Sequence, residues 1–123
     1  MSRSASKGLG ALLFAGVVSA NAAPGAGRYD ARLCVILAEQ QPSCGPAQAQ
    51  LRSGGRVQVQ VSDIEYRLRL KNQRAEVLLM HGTMQIDEFT SPYDWAGSVL
   101  RFRDADKKTS YEVHFSERLR TLK

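Results

Sequence analysis

From position 56 onward, apolar and polar residues alternate along the chain. Val57, Val59 and Val61 fall on one face and Gln58, Gln60 and Ser62 on the other, the period of two of a half-buried strand. After Asp63 the apolar set becomes Ile64, Tyr66, Leu68 and Leu70, set against Glu65, Arg67, Arg69 and Lys71. The apolar parity thus switches from odd to even near position 62, and one regular strand cannot bury both sets. The pattern predicts either a β-bulge at Ser62-Asp63 or a bend that carries the chain into a second sheet.

Asn72-Gln73-Arg74 is a polar break. Residues 77–80 are apolar on both faces, as a covered central strand would be, and Gly82 interrupts them. Met84, Ile86 and Phe89 suggest a further strand, and residues 91–97 read as a loop carrying Tyr93 and Trp95. Leu100 and Phe102, a polar turn over 104–108, and Tyr111, Val113 and Phe115 form the clearest hairpin signal.

Residues 30–41 are ambiguous. Leu33, Val35 and Leu37 alternate as in a strand, whereas Leu33, Ile36 and Leu37 also fit one helical face; Cys, Val and Ile favour the strand. Residues 40–55 are loop-like, with room for a short strand over 47–52. The sum is an all-β fold: a small antiparallel barrel or sandwich of six to eight strands.

The N-terminus follows another logic. Arg3 and Lys7 precede an apolar run over 8–18, and Ala20 and Ala22 are small residues at the spacing of an export cleavage site. A spanning helix needs about 20 apolar residues, roughly twice this run. We therefore expect a signal peptide over 1–22, cut between Ala22 and Ala23, with a periplasmic or secreted product and no stable membrane anchor. A flexible leader over 23–29, one β domain over 30–117 and a basic tail over 118–123 complete the expected organisation.

Without Arg3 and Lys7 the formal charge falls from +5 to +3. That is too small a field to imply nucleic acid. In an oxidising compartment the two cysteines, Cys34 and Cys44, read as one disulfide. Cys-x-x-Cys spacing is absent, and the Cys and His positions fit no zinc pattern.

No motif for a serine elbow, a phosphate loop or a calcium loop occurs, so neither a cofactor nor a metal is expected. Asp87-Glu88 would point to opposite faces of a strand, and Glu76, Asp87 and Asp94 read as solvated surface acids. An enzyme would need His81 or His114 beside a carboxylate in a cleft.

Three features remain as candidate sites. Arg67, Arg69 and Lys71 form a positive stripe on one strand face, which Arg101 and Arg103 extend if their strands are neighbours. Tyr93 and Trp95 are either contact aromatics or a plug for a barrel end. Met80, Met84 and Phe89, with His81 adjacent, would line the cavity of an apolar-ligand carrier if the interior were hollow. The leading expectation is a non-catalytic binding or inhibitor module of the bacterial envelope. It would act as a monomer or weak oligomer on an envelope protein or an anionic glycan.

Overall fold

The computed structural model describes residues 23–118. The chain forms eight strands: β1 Gly27–Leu37, β2 Ser43–Arg52, β3 Arg56–Val61, β4 Ile64–Leu70, β5 Arg74–His81, β6 Met84–Ala96, β7 Val99–Asp104 and β8 Thr109–Arg118. Each pairs antiparallel with the next, and β8 returns to β1, so the sheet closes into an up-and-down barrel. Closure pairs every strand on both sides and removes the exposed edges that promote aggregation.

The parity switch at position 62 comes from a two-residue hairpin. Val61 pairs with Ile64, and Ser62 takes the left-handed conformation at φ 56°. Reversing the chain in two residues places i opposite i+3, so an odd inward set becomes an even one. Neither a bulge nor a sheet-changing bend is present there. A bulge does occur in β6, where Leu79 pairs with Asp87 and Met80 with Gln85, leaving Ile86 unpaired.

Residues 30–37 are strand, with a turn after Leu37, and the segment read as loop holds the ten-residue strand Ser43–Arg52. Gly27–Tyr29 belongs to β1, and Tyr29 is buried, so part of the expected leader is core. Pro46 lies opposite Arg32, and the β2–β3 pairing begins only at Gln48. Its missing N–H therefore falls beyond that pairing, which is how a proline persists in a strand. Cys34 and Cys44 sit directly opposite one another, 4.0 Å apart at Cα, and are joined by the disulfide. The expected signal peptide, and all but the first residue of the expected tail, lie outside the described residues.

The inward positions alternate along every strand and fill the barrel. Val59, Val77, Leu100 and Val113 are at most 1% exposed. Ala31, Ala47, Ala49 and Ala75 are the small inward residues of β1, β2 and β5. They leave room for rings: Phe89, Phe102 and Tyr111 stack at 5.0–6.5 Å, and Tyr66 meets Tyr111 edge-on. Large and small side chains thus interdigitate as a solid barrel interior requires. Outward, every strand carries at least one charged or titratable residue (for example Arg28, Arg52, Arg56, Arg67, Glu76, Asp94, Arg101, Glu112). Apolar inside and charged outside is the reverse of a membrane-spanning barrel.

Candidate anion-binding site

The closed register decides which basic residues meet. Arg67 and Arg69 project outward from β4, as their alternation predicts. Arg101 and Arg103 lie on β7, three strands away, and do not extend the stripe. Arg101 is instead held by Asp94 through two contacts, Nε–Oδ1 at 2.8 Å and Nη2–Oδ2 at 2.6 Å. That pairing draws the Asp94 carboxyl below the usual carboxylate range. Lys71 turns to Glu76, 2.9 Å away, and lowers that carboxyl in the same manner.

The stripe is continued by two arginines from the β2–β3 hairpin. Arg52 pairs with Arg56, and Arg56 pairs with Arg69. Three guanidinium side chains therefore occupy adjacent positions on three neighbouring strands, at the ~4.8 Å interstrand spacing. Arg67 stands one outward step further along β4 and contacts Glu65 at 3.2 Å. Among the described residues, Arg52, Arg56 and Arg69 have no carboxylate within 4 Å; the Arg52 guanidinium reaches only the Gln50 side-chain oxygen, at 3.4 Å.

These four arginines border a groove of about 440 Å³ that also takes in Leu78, Thr90 and two acids, Glu88 and Glu76, the latter directly opposite Arg69. Like charges directly opposite one another on a sheet are destabilising. Three adjacent arginines, of which only Arg69 has an acid opposite it (Glu76, beyond 4 Å), create a local positive potential that an anion would neutralise. Arg52 and Arg56 were missed in the sequence because they read as the flanks of the Ser53–Gly55 turn, although Arg56 also heads the polar face of the Val57 repeat. The available signal was their symmetry: they flank residues 53–55, so any hairpin there must set them face to face.

The remaining sequence candidates separate. Tyr93 and Trp95 belong to β6, not to a loop, and both pack against the core from the inside. Trp95 rests on Phe115 at 5.5 Å, and the Tyr93 hydroxyl donates to the Lys71 carbonyl at 2.8 Å. Both rings are half-buried against the core rather than carried on a free loop. Met80, Met84 and Phe89 do not share a cavity. Phe89 stacks in the core, Met84 is 64% exposed at a turn, and Met80 is buried outside the interior cluster.

Both histidines do have carboxylate neighbours: His81 Nε2 lies 2.8 Å from Asp63 Oδ2, and His114 Nε2 lies 3.0 Å from Glu112 Oε1. The first pair is exposed on the turns and the second lies on the outer face of β8, so neither sits in an enclosed cleft. His81 also lowers the Asp63 carboxyl through its hydrogen bond. Among the described residues no group of three or more His, Cys, Asp or Glu side chains is placed to hold a metal.

Comparison with protein-family models, with curated proteins and with solved structures gave no match. The functional reading therefore stands on the geometry of this chain.

Proposed function

We propose that this protein is an exported, non-catalytic binding module whose partner is anionic and docks on the outer face of β2 to β5. The observation that carries the reading is the row Arg52–Arg56–Arg69, none of the three within 4 Å of a carboxylate among the described residues, with Arg67 beside it on the groove wall. Guanidinium groups bind carboxylates and phosphates through two parallel N–H donors, and a rigid closed sheet fixes them in place before the partner arrives. The backbone then needs little ordering on binding, and the cost falls on the rotamer freedom of the exposed guanidinium side chains. Export is supported by the charged, apolar and small-residue zones of the first 22 residues and by the disulfide, which suits a periplasmic or extracellular setting.

The test compares two double variants with the same loss of charge. Binding of labelled poly-L-glutamate and polygalacturonate is followed by fluorescence anisotropy at low salt. R56Q/R69Q is expected to weaken binding of any polyanion that binds by about tenfold, the equivalent of ~1.4 kcal/mol. R32Q/R103Q, on strands away from the groove, is expected to leave it within about twofold. Equal losses from the two variants would show that net charge alone attracts polyanions, and the proposed site would fall. Raising the salt toward physiological strength should reduce affinity, because these side chains are exposed.

A further inference from the structure

The same outer face carries a second pattern that the arginine row does not use. Gln48 pairs with Gln60 and Gln50 with Gln58, so four glutamine side chains form two directly opposed outward pairs on β2 and β3. Gln50 and Gln58 lie one outward step from Arg52 and Arg56 and continue laterally to Arg67. Arg28 and Glu65 join the four amides around a shallow groove of about 200 Å³. The amide of Gln60 donates to the Ser62 carbonyl at 2.8 Å, and the oxygen of Gln50 accepts from Arg52. Among the described residues the side chains of Gln48 and Gln58 make no hydrogen bond within the protein, so their donors and acceptors face solvent.

We infer that the partner is an acidic polysaccharide, with its carboxylate or phosphate groups on Arg52, Arg56 and Arg69 and its hydroxyls on the glutamine pairs. This inference rests on the arginine reading above and adds the partner's class. A carboxamide offers both a donor and an acceptor in one plane, as a sugar hydroxyl both gives and takes. An acidic protein surface presents the charges without a neighbouring array of hydroxyls. It would use the arginines and leave the glutamines idle.

All eight aromatic rings of residues 23–118 (Tyr29, Tyr66, Phe89, Tyr93, Trp95, Phe102, Tyr111, Phe115) are buried or half-buried against the core. The face therefore has no ring on which a neutral sugar could stack. Recognition depends on charge first and hydroxyl matching second.

The experiment measures affinity of the purified protein, at one low ionic strength, for polygalacturonate, poly(ribitol phosphate) and poly-L-glutamate of matched charge number. At least one of the two hydroxyl-bearing polymers is expected to bind about tenfold tighter than polyglutamate. The variant Q48T/Q60T, which keeps strand-forming residues and spares the two glutamines beside the arginines, is expected to abolish that preference while leaving polyglutamate affinity within twofold. Its unchanged polyglutamate binding doubles as the check that the fold is intact. R56Q/R69Q is expected to weaken all polymers that bind. Should polyglutamate bind as well as both others, or should Q48T/Q60T keep the preference, the glycan inference is overturned and the arginine site survives with an acidic protein as partner. Should none of the three bind, both readings are overturned.

Discussion

Gly55 shows how a single residue holds two hairpins together. Its φ is +77°, and a Cβ there would overlap the carbonyl oxygen of Leu70. The Gly55 carbonyl in turn accepts the Leu70 N–H at 2.7 Å. Gly82 also has a left-handed φ, +61°, yet open space surrounds it. The two positions separate conformational strain from steric overlap. Gly82→Ala is expected to cost about 1 kcal/mol, from the left-handed backbone alone. Gly55→Ala adds a forced shift of backbone against backbone and is expected to cost upwards of ~3 kcal/mol. Thermal unfolding of the two variants checks the order; equal midpoints would refute it. The Gly54-Gly55 turn was legible in the sequence. The close approach of Leu70 was not, because it depends on how β4 leaves its own hairpin.

At the level of elements, β1 and β2 are the pair that local signals described least well. Pro42, Pro46, Gly45 and the cysteines read as loop, yet Ser43–Arg52 is a strand. Pairing with β1 draws residues 43–47 into the sheet, and from Gln48 β3 pairs on the other side, a tertiary override of a weak local preference. The disulfide lies within this pair and spans a sequence separation of 10. On the chain-entropy account a loop of that size is worth about 2–3 kcal/mol. Reduction is therefore expected to lower the unfolding midpoint by roughly 10 °C or more, while the far-ultraviolet spectrum of the folded state stays that of a sheet. The β1–β8 ladder, shifted in register only between Tyr29 and Ala31, and the β2–β3 ladder hold the strands without the bridge. Loss of the sheet spectrum on reduction at 20 °C would show the bridge to be required for folding itself.

For the whole molecule, stability is expected to be bounded on both sides of pH. Asp63, Glu76, Asp87 and Asp94 each have a cationic or histidine partner that holds the carboxyl below its ordinary value, 3.8 for Asp and 4.5 for Glu. A carboxyl with a lowered folded-state pKa stabilises above its unfolded value, and that contribution disappears as pH falls through the folded one. Acid should therefore erode stability progressively below about pH 4.5. The alkaline side is set by the core. Burial raises Tyr66 and pushes Tyr111 up to about 12, with Tyr66, Asp104 and Asp87 adding repulsion for the phenolate. A raised folded-state pKa stabilises below the unfolded value, here 10, and the contribution is lost as pH climbs toward 12. Denaturant unfolding at pH 3, 7 and 11 should give its highest free energy at pH 7. Absorbance titration should show two tyrosines ionising late and together with unfolding. Early ionisation of all four tyrosines in the folded protein would contradict the buried placement.

What the sequence determined alone was the alternation. Inward and outward residues of β3, β4, β7 and β8 follow from period two, because a strand has only two faces and apolar side chains leave water on one of them. The disulfide was also legible, since two cysteines allow one pairing. What the tertiary structure decided was adjacency. Alternation says which face a residue occupies, not which strand lies beside it. Arg101 and Arg103 had the same local pattern as Arg67 and Arg69, yet closure placed β7 three strands away. Arg52 and Arg56, at the two ends of a tight turn, were brought beside Arg69 instead. Register between strands is set by turn length and ring closure, and the candidate site is a product of that register.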